Sequence, residues 1–225
     1  MPIDAVLIGA GGFGREVLDV VEAHNLAVGA DSTRGVRIIG VVDDNPSDLN
    51  IQRLDARGYS HLGSLAEILQ KDQIDSYLLG VGSPSIRRAI ADKLDEHGWT
   101  PLTLVHPNAV VGTVKLIGAG TIICGGVQLS TNTMLGRHVH LNPNATIGHD
   151  SVLDDFVSVN PGAIVSGDVT VGAESLVGAG ATILQGLEIG SRALVGACAC
   201  VTKNVADDVV VVGVPAHRQE EVSSS

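Results

Sequence analysis

With 225 residues, 44% of them apolar, the chain is long enough for one large domain or two small ones, each with a core. A net charge of -11 is spread over both halves, 9 basic against 15 acidic residues through Leu102 and 5 against 10 beyond it. With aromatics at 2%, this leaves neither a surface for polyanions nor a platform for stacked bases, so no nucleic-acid partner is expected. The segment MPIDAVLIGAGG lacks a basic leader region, and no apolar run reaches the roughly 18 residues of a membrane span, so a cytoplasmic protein without membrane insertion is expected.

In chain order, IDAVLIGAGGFGREVLDVVEAHN reads as strand, glycine loop and helix, with GAGGFG at Gly9 to Gly14 and an apolar stripe Val17, Leu18, Val20, Val21. A second strand, VRIIGVVDD, ends in Asp43 and Asp44. A helix around Ser64 to Gln70, a strand YLLGVG, and a helix from Pro84 to near Gly98 follow. Alternating strands and helices predict a Rossmann-like α/β half domain with a small parallel sheet over residues 1–102, its ligand at the carboxyl ends of the strands. About four strands fit, one mononucleotide half, so NAD is under-housed. A smaller nucleotide group, its phosphates at the N–H groups of Gly11, Gly12 and Phe13, fits better and needs no basic field. Asp43 or Asp44 is the candidate for the ribose, and Gly82 lets a ligand approach the backbone at the same edge. The alternative is a loop that serves packing alone.

From Val105 to Val201 an aliphatic residue recurs every six positions, seventeen times without a slip. A six-residue period fits no helix; it fits a short strand plus a corner, the hexapeptide form of a parallel β-helix over residues 103–219, with 220–225 a disordered tail. Taking the aliphatic residue as position 1, positions 5 and 1 point inward and position 6 outward. Glycines at position 2, such as Gly118 and Gly148, suit the φ values that a corner demands. The three cysteines, Cys124, Cys198 and Cys200, lack CxxC spacing and sit among small residues, and read as buried thiols.

In this register His149 and Asp150 take positions 3 and 4 on a corner, outside the core. These sixes resemble the β-helix of hexapeptide acyltransferases, which implies three of them, 18 residues, per coil; the small residues Thr131 and Gly167 then flank the imidazole. A neighbouring corner column carries Asn142, Asn160, Gly178 and Gly196, with Ala179 and Ala197 beside the glycines, a strip nearly free of side chains on which a long thin ligand can lie. An imidazole next to a carboxylate suits general-base catalysis; a solvated surface histidine is the plainer alternative. His138 and His140 raise a zinc site, but one stands on a corner and the other on a flat face, so no metal is expected.

GAGGFGRE at Gly9 to Glu16, VVDD ending at Asp44, IGHD at Ile147 to Asp150 and VVGVPA at Val211 to Ala216 together resemble the sugar O/N-acetyltransferase family of hexapeptide acyltransferases, across nearly the whole chain. That family includes sialic-acid O-acetyltransferases and the UDP-N-acetylbacillosamine N-acetyltransferase. The resemblance implies a left-handed β-helix, a homotrimer with acetyl-CoA between neighbouring subunits, and an N-terminal half that binds a UDP- or dTDP-linked amino sugar. It also implies that Gly11, Gly12 and Phe13 meet phosphate, that Asp43 and Asp44 meet base or ribose, and that Gly82 lines the same site. His149 is then the base for the sugar amine, Asp150 raises its basicity, and Asn142 orients a reactant. Ala179 and Ala197 hold the coenzyme arm through backbone atoms. Ser158 stands where family members often carry a second histidine near the thioester. O-acetylation of a sialic acid or related sugar, and a non-catalytic nucleotide-sugar-binding trimer, remain as alternatives.

Overall fold

A computed structural model describes residues 1–29, 32–70, 74–113 and 115–219; the expected tail, 220–225, lies outside the described residues. The chain divides into two compact units after Pro107.

The first unit is a four-stranded parallel sheet of order β2-β1-β3-β4, formed by β1 (Ile3–Ile8), β2 (Val36–Val42), β3 (Ser76–Leu79) and β4 (Thr100–Pro101). The buried runs of β1, β2 and β3 follow from their aliphatic content, and α1 (Gly12–Val28) turns Val17, Leu18, Val20 and Val21 onto the core, the stripe that its sequence shows. The helix α2 (Asp48–Asp55) has no counterpart among the expected elements. It buries one aliphatic residue, Leu54, and so carries no apolar period; its start is set by Ser47, whose hydroxyl accepts the Asn50 N–H. A capping box between Ser64 and Glu67 starts α3 (Leu65–Ile68), and Pro84 opens α4 (Pro84–Glu96).

Three glycines lock α1 against the sheet. A Cβ on Gly14 would lie 1.9 Å from the Gly9 carbonyl oxygen, and one on Gly80 would lie 2.5 Å from the Gly14 Cα. Gly9 also has φ +109°, a conformation open to glycine. The loop thus passes under α1 at backbone contact.

The second unit is a parallel solenoid of about six coils. Pairing runs one coil apart, Met134 with Val152, His140 with Ser158 and Thr146 with Ile164, an offset of 18 residues that shortens to 16 at the last coil, where Leu194 pairs with Val210. Every aliphatic position from Ile123 to Val201 is buried, each contributing about 1.5–3 kcal/mol. The buried hydroxyls at position 5 bond to carbonyls, Thr121 to Gly136, Ser151 to Ser166 and Ser175 to Gly190 in the next coil and Thr133 to Ser130 in its own, which offsets the cost of burying them.

The corners differ from expectation. The positive φ belongs to position 4, where all fourteen residues from Gly120 to Cys198 lie between +53° and +77°. The position 2 glycines do not share it. They are needed because the coils stack there at backbone contact: a Cβ on Gly118 would lie 2.3 Å from the Gly136 oxygen, and one on Gly148 would lie 2.4 Å from the Gly167 nitrogen. From His138 to Cys198 each position 4 N–H reaches the preceding coil, as Asp150 does to Thr131 at 3.1 Å, which offsets the strain of the left-handed conformation.

The cysteines also differ. Cys124 is buried, but Cys198 is exposed on a corner and Cys200 is half-buried on a flat face.

Candidate active site

In the first unit a cleft of about 300 Å³ opens at the carboxyl ends of β1 and β2. Ile8, Val42, Leu65, Ile86 and Ile90 form its apolar walls, and Asp43, Asp44 and Asn45 its polar edge. The glycines around it fall into two groups. Gly9, Gly14 and Gly80 serve packing, whereas a Cβ on Gly11, Gly12 or Gly82 would meet nothing within 4 Å. Space for a ligand therefore lies over the glycines expected to bind one.

Gly11 precedes α1 without a side-chain cap, and the first turn carries no acid, so the positive end of the helix dipole is not neutralised by a side chain of that turn. Asp43 works first on the protein: its two oxygens accept the N–H groups of Ala10 (2.8 Å) and Asn45 (3.0 Å) and so hold the glycine loop. One oxygen of Asp44 accepts the Leu65 N–H at 2.7 Å. Arg15 escaped the sequence reading. Its Nη1 donates to the Ala10 carbonyl at 3.0 Å and to Asn50 Oδ1 at 2.7 Å, which pins a guanidinium beside the loop. The signal was present in GAGGFGRE, a cation one residue after the glycines, in a chain with few basic residues.

In the second unit His149 and Asp150 stand on a corner as expected, their side chains 53% and 48% exposed. His149 Nδ1 lies 2.6 Å from Asp150 Oδ2. The bend at Asp150, φ +61°, is what lets adjacent residues meet; in a straight strand they would point to opposite faces. The ring lies over Gly167, where a Cβ would come within 2.6 Å of Cε1 and Nε2, so the absence of a side chain there makes room for the imidazole. Asn132 donates from Nδ2 to Asp150 Oδ1 at 2.9 Å. That bond first, and the one with His149 second, hold the Asp150 carboxyl below the usual carboxylate range. Asn132 was also missed; its place one coil before Asp150 could have shown it.

The remaining expected residues stand elsewhere on the solenoid. Asn142 lies on the preceding corner, buried, donating to Asn160 Oδ1 at 2.9 Å, while its own Oδ1 is buried without a hydrogen-bond partner. Ala179 and Ala197 are exposed on the same corner. Ser158 is buried on a flat face, paired across coils with His140, and shares an edge with neither group, so the thioester role expected for it rests on the resemblance alone. His138 is buried and stacked on Phe156 at 5.2 Å. Among the described residues no group of three or more His, Cys, Asp or Glu is placed to hold a metal ion, and no helix is long and apolar enough to cross a membrane.

A solenoid of six-residue rungs, with an exposed His-Asp pair on one corner, defines a hexapeptide-repeat protein of the acyltransferase type, and comparison with known proteins narrows the class. Residues 4–94 match the family described as the PglD N-terminal domain. The chain is 31% identical over 151 residues to the GDP-perosamine N-acetyltransferase of Escherichia coli O157:H7, covering 66% of this chain and 63% of that enzyme. Among solved structures, the acetyltransferase domain of PglB from Neisseria gonorrhoeae is 27% identical, with a TM-score of 0.81 over 97% of this chain and 100% of that one. PerB from Caulobacter crescentus, in complex with CoA and GDP-perosamine, is 26% identical, with a TM-score of 0.84 over 96% and 97%. This N-terminal domain followed by a left-handed β-helix is the arrangement the chain shares with these acetyltransferases.

Proposed function

We propose that the chain is an acetyl-CoA-dependent N-acetyltransferase acting on a nucleotide-linked amino sugar, with His149 as general base. The observation that carries this reading is the 2.6 Å bond from His149 Nδ1 to Asp150, which leaves Nε2 as the basic atom of an exposed ring. His149 takes a proton from the sugar amine as nitrogen attacks the thioester carbonyl. The C–N bond forms, the C–S bond breaks, and the imidazolium returns its proton to the departing CoA thiolate. No acetyl-enzyme is required. An amine is proposed over a hydroxyl because the relatives named above include two perosamine proteins, one of them an N-acetyltransferase by name.

Asn142, Ala179 and Ala197 occupy a different corner from His149. A site that uses both corners takes them from neighbouring copies, which supports a homotrimer with acetyl-CoA between subunits. Asn142, on the corner of the coenzyme strip, is proposed to orient a reactant.

The nucleotide is proposed for the first unit, base in the cleft beside Asp44 and diphosphate over Gly11, Gly12 and Phe13. The expected UDP or dTDP carrier is widened to include GDP, because relatives named for GDP-perosamine match this chain. Arg15 completes the phosphate site: both of its bonds use Nη1, leaving Nη2 and Nε for the ligand. Arg15→Met is expected to weaken binding of the nucleoside diphosphate about ten- to a hundred-fold, the loss of a charge-assisted bond worth roughly 1.5–3 kcal/mol, as read by calorimetric titration. Equal affinity in the variant sinks the assignment.

Asp150→Asn tests the pair. A carboxylate stabilises an imidazolium formed during the reaction and an amide does not, so the acidic limb of the pH–rate profile is expected to move to lower pH. Asp150, already held below the carboxylate range, stays ionised across that window in the native protein. An unmoved limb removes Asp150 from the mechanism.

The function itself is tested by incubating the protein with acetyl-CoA and UDP-, dTDP- and GDP-linked amino sugars and following acetyl transfer by mass spectrometry. Binding of one of these without transfer would favour the non-catalytic alternative.

A further inference from the structure

We infer that Asn132 is a positioning residue that fixes the Asp150 carboxylate and, through it, the orientation and tautomer of His149. The inference rests on the reading of His149 as the base. Asn132 and Asp150 are position 4 residues one coil apart, with nearly equal φ values of +56° and +61°, so their side chains leave the same edge in parallel. The Asn132 amide donates to Asp150 Oδ1 at 2.9 Å, while Oδ2 faces His149 Nδ1 at 2.6 Å. Amide, carboxylate and imidazole thus form one hydrogen-bonded chain across two coils.

A carboxylate on an exposed corner has little to hold it, since water competes for both oxygens and its terminal torsion is soft. With one oxygen engaged by an amide from the coil before, the plane of the carboxylate is set and the other oxygen is kept on the ring. His149 then holds its proton on Nδ1 and its lone pair on Nε2. The chemistry explains the residue type. The column continues to Asp168 on the far side of Asp150, so an acceptor at 132 would add a third oxygen group to an acidic edge. Asparagine both tolerates the left-handed conformation and supplies a donor. Asp150 is tied to the preceding coil a second time through its N–H to the Thr131 carbonyl at 3.1 Å, so the corner is held by backbone as well as by side chain.

The test is a double-mutant cycle of Asn132→Gly, Asp150→Gly and the pair in the full-length protein, glycine being chosen because it keeps the positive φ without strain. Two readouts are taken. Imidazole nitrogen NMR, with the His149 signal assigned by its loss in His149→Ala, reports the tautomer. Steady-state kinetics report kcat and both KM values. Asn132→Gly is expected to reduce the population protonated on Nδ1 and to lower kcat about ten-fold, the usual scale for a supporting partner, with both KM values held. The double variant should be no slower than Asp150→Gly alone. A tautomer population unchanged in Asn132→Gly, or a double variant slowed by the product of the single effects, overturns the inference. Undiminished turnover in His149→Ala overturns the base assignment instead, and the NMR arm then still decides whether Asn132 orients the ring.

Discussion

His149→Ala is expected to lower kcat at least about 100-fold, the ordinary contribution of a general base, with acetyl-CoA affinity and melting temperature unchanged. The side chain is half exposed on a corner and contributes nothing to the solenoid core, so its loss leaves the fold alone. The coenzyme strip proposed at Ala179 and Ala197 stands on another corner and is untouched. Initial rates at saturating acetyl-CoA and amino sugar, with a binding titration of acetyl-CoA, check both halves of the expectation. Turnover within a few-fold of the native rate would refute the role.

The second large effect is on stability. Gly14→Ala is expected to destabilise the first unit by about 3 kcal/mol, the upper range for overpacking, because the new methyl would lie 1.9 Å from the Gly9 carbonyl oxygen. The obstacle is backbone, the Gly9 carbonyl, so no rotamer change relieves it; α1 must lift from the loop. Trp99, the single tryptophan, is buried in this unit, and its fluorescence during urea unfolding follows this unit in the intact chain. Gly12→Ala is the control: its Cβ meets nothing, so the same measurement should barely move. A Gly14→Ala midpoint equal to that of the native protein would show that the contact can relax.

The two glycine variants show how the sequence can be read and where it misleads. GAGGFG marks a strand-loop-helix turn, but the string does not say which glycines face a helix and which face open space. That division comes from how closely α1 approaches β1 and β3. In the solenoid the reverse error arises. Position 2 is rich in glycine and suggests positive φ, yet the left-handed residues are at position 4, filled by Asn, His, Asp, Phe, Glu, Arg and Cys as well as Gly. From His138 to Cys198 a hydrogen bond to the preceding coil at each of these corners offsets the strain, so composition there carries no mark of the conformation. Arg15 with Asn50, and Asn132 with Asp150, are contacts 35 and 18 residues apart, invisible in any local window.

What the sequence by itself determined is the periodic part: the aliphatic residue every six positions, hence a parallel solenoid of short strands and corners, the place of His149 and Asp150 on a corner, and the alternating strands and helices before it. Burial of apolar side chains repeats with the backbone, so it leaves a period that can be counted. Only the tertiary structure decided which corner groups touch, which glycines are needed for contact, and which cysteines are covered. Those outcomes depend on distances between coils and between layers, and a distance across the fold has no period along the chain.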